Sequence, residues 1–376
     1  MKLGRWIYRG NTYEGLLVGG VVLSGIPFTD GTTVQKLLEM GLPAALEKGR
    51  QLVAAKGEQH HESQIKLLAP FQPVTVRDGV AFEAHVEGVV KSVDNSEGVT
   101  PEWYDFPTFY FTNPHAIIGT GEVMIPPPSE KLDYELELGV VIGATEDGLD
   151  SNLTPDAAKG AIFGYTVFND WSARDIQARE MKVRLGPAKG KDFATTIGPW
   201  IVTADEFALR TDDEGFLNLT MQVKVNGELY GEDLASNIGW PLHEMVAYAS
   251  RNTHVRPGDL IGSGTCGQGC LAELWGRAGK LEPAPLKAGD KVEMFIEGIG
   301  KIVNVVGEPV QGTRRLMSLQ HRSTDSWASS AGFRRTGKSK TRCTTLPIKP
   351  RFKLLPASQT TSKQRARLPA GTTGIR

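Results

Sequence analysis

The stretch LDYELELGVVIG at 132–143 carries two glutamates two residues apart, Glu135 and Glu137. Side chains alternate faces on a β-strand, so an E-x-E pair projects both carboxylates to one side and Leu136 and Leu138 to the other. Such a pair repels itself unless a positive charge lies between. An apolar run follows at once, which argues that the face is half buried. A hard divalent cation neutralises such a pair, because Mg²⁺, Mn²⁺ and Ca²⁺ prefer oxygen ligands. The plainer reading is a solvent-facing E-x-E on an amphipathic strand, and this stretch alone does not separate the two. A second cluster shifts the weight. Asp170 ends a strongly apolar segment and is followed by Arg174 and Gln177, cationic and polar donors on adjacent turns. Downstream, Lys191 follows Gly190 after a glycine-rich turn. Residues 262–265 and Glu273 come next, on a further strand and turn.

The elements that must position these residues are mostly strands. Residues 135–142, 161–169, 198–202, 217–225, 260–263 and 291–296 carry strand patterns, separated by turn markers such as Asn226-Gly227 and Pro257-Gly258-Asp259. Residues 33–56 have helical spacing broken at Gly41-Leu42-Pro43. Thr154 and Pro155 form an N-cap and first helical position, and residues 240–250 form another helix. The expected fold is α+β and β-dominated, without regular βαβ alternation. Residues 15–28, behind Lys2, Arg5 and Arg9, have a weak resemblance to a signal peptide. Glu14, the internal glycines and the lack of an A-x-A site make two or three short strands the better reading.

The 376 residues have a formal net charge of −1, a cancellation of two unlike parts. Residues 313–376 hold 15 Lys and Arg against one acid, Asp325, a net of +14. The rest holds 27 bases and 42 acids, a net of −15. An acidic body argues against a nucleic-acid-binding main domain. The Ser-, Thr-, Arg- and Pro-rich tail is expected to be largely disordered, a solvated extension whose alternative is electrostatic binding of nucleic acid or anionic membrane. Three cysteines, Cys266, Cys270 and Cys343, make no disulfide framework, which points to a reducing, cytoplasmic setting. No apolar run approaches the roughly 20 residues needed to span a bilayer.

Several decoys are set aside. Residues 262–267 match G-x-G-x-x-G, but the residues after them read as a short stretch and turns rather than a helix and a parallel strand. Cys266 and Cys270 stand four apart with too few thiol or histidine partners for zinc, and read as structural. His60 and His61 read as a solvated polar loop, and His115 as a hydrogen-bonded structural histidine. His243-Glu244 lacks the second histidine of a metalloprotease.

Taken in order, the segments RDGVAFEAHV (77–86), LDYELELGVVIG (132–143), IFGYTVFNDWSARDIQ (162–177), LGPAKGKDFATTIGPWIV (185–202), VNGE (225–228), PGDLIGSGTCGQG (257–269) and LKAGDKVEMFIEGIGKIVN (286–304) resemble the fumarylacetoacetate hydrolase family over roughly residues 70–310. The resemblance implies a mixed β-roll with a small N-terminal domain (1–72), a catalytic domain (73–312) and the tail (313–376). It implies that Asp78, Glu135, Glu137 and Asp170 ligate Mg²⁺ or Mn²⁺, with Ca²⁺ also suited. His85, oriented by Glu273, would be the general base. Arg174, Gln177 and Lys191 would stabilise an enolate or oxyanion, and Tyr110 and Thr265 would position substrate. The implied activity is hydrolysis of a carbon–carbon bond in a 1,3-diketo acid of acylpyruvate or fumarylacetoacetate type, as in aromatic amino acid catabolism, by a homodimer. Decarboxylation, isomerisation or hydration of a related oxo-acid on the same shell is the alternative; a non-catalytic binding protein of this fold is a further one. The chain departs from the family where Gly79-Val80 follow Asp78, where Met181 replaces a substrate-binding tyrosine, and where Lys91 is the nearest cation after His85.

Overall fold

The structure is a computed structural model that describes residues 1–310 except 20–22, 56 and 95–97, with the side chains of 90–94 also outside the description. The tail, with Cys343, therefore lies outside the described residues.

The sheets form where apolar runs can be buried on both faces. Leu136–Ile142 and Ile162–Asp170 are buried along their whole length and pair antiparallel, Leu136 opposite Asn169. Near-continuous Val, Ile, Leu and Phe is the expected signature of such doubly covered strands. Around them runs a twelve-stranded mixed sheet. Its main path is His60–His61, Ser24–Pro27, Asn11–Val18, Lys2–Tyr8, Thr195–Thr203, Ile162–Asp170, Leu136–Ile142, Leu260–Gly262, Val76–Gly79 and Phe109–Thr112. The N-terminal strands thus join the same sheet as the acidic segments, through the antiparallel pairing of Lys2–Tyr8 with Thr195–Thr203. A second sheet of five strands contains Thr220–Val225, Lys291–Ile296 and Gly300–Val306. Two clusters of buried apolar side chains lie against these sheets, one centred on Leu136, Trp171 and Met294, the other on Leu3, Leu37 and Phe168.

The helix starts follow their cap chemistry. The Thr33 hydroxyl accepts from Lys36 N at 3.1 Å and opens Val34–Met40, and the Thr154 hydroxyl accepts from Ala157 N at 3.2 Å and opens Pro155–Ala161. Residues 15–28 run through strands Asn11–Val18 and Ser24–Pro27, as their glycine-punctuated pattern implied.

Four expectations need correction. Glu273 is not on a strand or turn: residues 271–278 form a helix, Leu271–Ala278, capped by the Cys270 side chain, whose Sγ accepts from Glu273 N at 3.4 Å. The glycine-rich stretch at 262–267 does therefore lead to a helix, but the next strand, Lys291–Ile296, belongs to the other sheet, so no parallel βαβ unit forms. His60 is not solvated. It is fully buried, stacked on Tyr8 at 3.8 Å between ring centroids, and its Nδ1 accepts from Trp6 Nε1 at 2.9 Å. An aromatic slot offers one ring more than a polar loop does, and two flanking polar residues in the sequence concealed it. His115, in contrast, is exposed rather than held in a structural hydrogen bond of its ring.

Candidate active site

Four acidic side chains converge because their strands are neighbours. Asp78 lies on Val76–Gly79, Glu137 on Leu136–Ile142, Glu135 just before that strand, and Asp170 at the end of Ile162–Asp170. Asp78 pairs in register with Gly262, which belongs to the strand beside Leu136–Ile142. Asp170 N donates to Glu135 O at 3.2 Å, and Glu135 N donates to Asn169 Oδ1 at 3.1 Å, which locks the two acids side by side. All four residues are at least 96 % buried. One oxygen each of Asp78, Glu135 and Asp170 lies within 4.8 Å of the others. Asp78 Oδ1 and Asp170 Oδ1 have no hydrogen-bond partner among the described residues. Glu137 stands behind this trio: its Oε2 accepts from Gly264 N at 3.0 Å and its Oε1 from Thr265 Oγ1 at 3.4 Å. Only a glycine fits between Asp78 and Glu137, since a Cβ at position 262 would lie 2.5 Å from Asp78 Oδ1 and 2.7 Å from Glu137 Oε2.

Burial so deep disfavours charge. Burial pushes Glu137 well above its ordinary value, and the neighbouring Asp78 adds to this. Burial also raises Asp170 well above its ordinary value against the pull of Lys191. Glu135 goes the other way: burial works to raise it, but Arg174, Lys191 and His85 outweigh burial and hold its carboxyl well below the usual range.

Two cations account for that difference. Lys191, buried, donates to Asp170 Oδ2 at 2.6 Å and to Glu135 Oε2. Burial works against its charge, yet Asp170 and Glu135 together raise its pKa. Arg174 donates through Nη2 to Glu135 at 2.7 Å, through Nε to Asp133 Oδ2 at 2.8 Å and through Nη1 to Gln177 Oε1 at 3.2 Å. Tyr110, paired in register with Asp78, places its hydroxyl between Asp170 Oδ2 and Asp78 Oδ2, the latter at 3.1 Å. Burial and the charge on Asp170 keep that phenol protonated.

His85 arrives from the helix Glu83–Asp94. Its Nε2 is 3.7 Å from Glu135 Oε1, and its Nδ1 is 3.9 Å from Glu273 Oε2, farther than a hydrogen bond reaches. Burial lowers its pKa to about 4, so the ring is neutral at pH 7 and has a lone pair to offer a proton. Burial pushes Glu273 up to about 7 against the pull of Arg277, which donates to its Oε1. Gln268 N donates to Glu273 Oε2 at 2.7 Å.

The structure therefore brings Asp78, Glu135, Asp170, Tyr110, Arg174, Gln177, Lys191 and His85 together, with Glu137 and Thr265 behind Asp78 and Glu273 behind His85. Met181, at the end of the helix Arg174–Met181, is about half exposed.

Sequence reasoning passed over three supports. Asp133 is fully buried and holds Arg174; its two oxygens also accept from Leu271 N at 2.7 Å and Ala272 N at 3.0 Å, tying the start of the Glu273 helix to the E-x-E segment. The signal was present, since residues 133, 135 and 137 share strand parity. Glu180 accepts from the backbone N–H groups of Ala188, Lys189 and Gly190 at 2.8–3.0 Å and so shapes the turn before Lys191. Cys270, three residues before Glu273, is the N-cap of that helix, with cysteine in place of the usual serine.

The family model described as "Fumarylacetoacetate (FAA) hydrolase C-terminal" matches residues 74–307. Fumarylacetoacetase from Arabidopsis thaliana is 29% identical over 313 residues, covering 71% of this chain and 72% of that protein. Fumarylacetoacetate hydrolase domain-containing protein 2 from Pongo abelii is 31% identical over 291 residues, covering 77% of this chain and 84% of its own. Among solved structures, maleylpyruvate hydrolase from Sphingobium sp. SYK-6, crystallised with manganese(II) and pyruvate, superposes with a TM-score of 0.59 at 21% identity, covering 82% of this chain and 100% of that one. The chain belongs to the fumarylacetoacetate hydrolase family. Among the described residues, no helix is long and apolar enough to cross a membrane.

Proposed function

We propose that this chain is a divalent-cation-dependent hydrolase that cleaves a carbon–carbon bond in a 1,3-diketo acid. The observation that carries this reading is the pair of buried, partnerless oxygens, Asp78 Oδ1 and Asp170 Oδ1, beside Glu135. A buried carboxylate oxygen without a donor is costly, and a hard cation relieves that cost for both at once. The donor set is all oxygen, which suits Mg²⁺ or Mn²⁺ and suits Zn²⁺ poorly. Asp78, Glu135 and Asp170 would hold the ion directly, with Glu137 completing the set. The manganese and pyruvate bound by the Sphingobium relative support the same class of cofactor and product.

When bound, the cation would polarise the oxygens of the diketo acid and lower the cost of the developing negative charge. The remaining work falls to side chains. His85 accepts a proton from water at its neutral imidazole, and Glu273 behind it favours the imidazolium that results. The water oxygen bonds to the distal carbonyl carbon. The bond from that carbon to the central carbon then breaks, and its electron pair leaves as an enolate. Lys191 and Arg174, with Gln177 holding the guanidinium, face that charge, and the proton taken by His85 returns to the central carbon. The products are a carboxylic acid and a 2-oxo acid. Tyr110 and Thr265 hold carboxylates in this structure, so their part in placing substrate runs through the metal site. The buried thiols of Cys266 and Cys270, unpaired with each other, fit a reducing compartment such as the cytoplasm, and a homodimer is the expected assembly.

The test is direct. Acetylpyruvate with Mg²⁺ or Mn²⁺ should yield acetate and pyruvate, and oxaloacetate should not lose carbon dioxide faster than in buffer. Asp170→Ala or Glu135→Ala should abolish metal-dependent turnover while the fold persists. Near-full activity of either variant after chelation and metal replenishment sinks the metal assignment, and carbon dioxide release without paired acid products replaces hydrolysis by decarboxylation.

A further inference from the structure

A second group of donors lies beside the carboxylate cluster and differs from it in kind. His85 Nδ1, Cys270 Sγ and one Glu273 carboxylate oxygen lie within 4.8 Å of one another, and all three side chains are buried. Nδ1 is 3.6 Å from Sγ and 3.9 Å from Glu273 Oε2. The first is a long thiol–imidazole hydrogen bond and the second is beyond hydrogen-bond reach, so the three donors converge with the thiol as the imidazole nitrogen's partner. The first falls within the edge lengths of a tetrahedral site and the second slightly exceeds them. Zinc bonds of about 2.3 Å to sulfur and about 2.0–2.2 Å to nitrogen and oxygen place neighbouring ligands roughly 3.3–3.7 Å apart. The set contains one nitrogen, one sulfur and one oxygen, the mixture that zinc takes and that Mg²⁺ rejects.

We propose that His85, Cys270 and Glu273 form a separate binding site for a thiophilic divalent cation, Zn²⁺ in kind, with solvent as fourth ligand, and that its occupation inhibits the enzyme. Coordination replaces the S–H bond by a metal–sulfur bond and releases that proton to water, together with the Glu273 proton where that carboxyl carries one. A thiolate, a carboxylate and a neutral imidazole then balance the two positive charges, so the buried assembly is neutral overall. Binding takes the imidazole nitrogen that faces Glu273 and stops the ring from gaining charge, which removes it as a proton acceptor. The inhibitory consequence rests on the proposed role of His85 in hydrolysis; the binding itself does not.

The partners are distant in the chain, Cys270 standing 185 residues from His85. Among the described residues, Cys266 does not belong to the set. The full chain, with Mg²⁺ in excess to fill the carboxylate site, is titrated with Co²⁺ as a spectroscopic stand-in for zinc. One equivalent should produce a thiolate-to-cobalt charge-transfer band that Zn²⁺ then abolishes. Cys266→Ser and Cys343→Ser should keep the band. Cys270→Ser, which retains a hydroxyl able to cap the helix, should lose it and should raise the zinc concentration for half-inhibition at least tenfold, inhibition being referred to the variant's own zinc-free turnover. His85→Gln, which keeps the thiol, should weaken cobalt binding at least tenfold. A band that survives in Cys270→Ser, or zinc inhibition unchanged in that variant and relieved only by more Mg²⁺, overturns the site. Should the chain prove inactive on diketo acids, the cobalt band still decides whether the site exists, so the two readings fail separately.

Discussion

Asp133 shows how much a single buried side chain does in this protein. It receives Arg174 on one side and two backbone N–H groups of the Leu271–Ala278 helix on the other. Removing one partner of a buried pair leaves the other charge uncompensated, at a cost of about 3–5 kcal/mol. Asp133→Ala should therefore lower the stability measured by chemical denaturation by about that amount, and should also reduce turnover, because Arg174 loses the group that aims it at Glu135. Gly262 answers to space rather than charge. A methyl at this position collides with oxygens of both Asp78 and Glu137. Gly262→Ala should lower kcat about 10²-fold, the scale expected when reacting groups move by roughly 1 Å, with far-ultraviolet circular dichroism unchanged.

At the scale of elements, the turn that delivers Lys191 depends on the helix Arg174–Met181. Gly190 packs so closely against it that a Cβ would lie 2.7 Å from Gln177 N. Glu180 on that helix holds the turn through three backbone N–H groups. Burial is the largest single influence and opposes its charge, but the three hydrogen bonds together prevail and lower its pKa below the ordinary 4.5. A carboxylate whose folded pKa is depressed stabilises the folded state above its unfolded value and loses that contribution as pH falls through the folded one. Proteolytic cleavage within 182–190 should accordingly rise only below about pH 4.5 in the parent. In Glu180→Gln it should already be raised at pH 7, with turnover reduced through Lys191. Equal cleavage of the two at neutral pH would remove Glu180 from this role. The helix Leu271–Ala278 has a parallel task, since its first turn brings Cys270 and Glu273 to His85.

For the whole molecule, the charge split matters more than the total. The family match ends at residue 307, and the described residues end at 310. We propose that the catalytic unit lies within 1–312 and that the basic segment is separable from it. A chain ending at residue 312 should keep kcat/KM within twofold and migrate as a far more acidic protein, carrying −15 in place of −1. Such a body concentrates negative charge where two buried oxygens lack any donor, which is why chelation should lower its thermal midpoint as well as its activity. Differential scanning calorimetry with and without Mn²⁺ checks that outcome, and identical midpoints would speak against a bound cation.

Much of this was legible before any fold was known. The E-x-E parity, the apolar strands expected at 135–142 and 161–169, the Thr154 cap and the break at Gly41 are local statements about backbone period and end chemistry, and they appear in the structure within a residue of where the sequence put them. The ordered segments also carried the family. Local pattern could not tell that His60 is buried, because burial depends on Tyr8 and Trp6 arriving from another strand. It could not tell that residues 271–278 form a helix whose cap is a cysteine. Nor could it supply partners for Cys270, which looked short of ligands when counted along the chain and stands beside a histidine and a carboxylate once folded. Local residue types determined which chemistries were available: hard oxygen donors, one candidate base and two cations to hold an anion. Tertiary structure decided which of them meet, because strand pairing sets distances between residues far apart in sequence, and those distances separate a buried oxygen cluster from four unrelated acids.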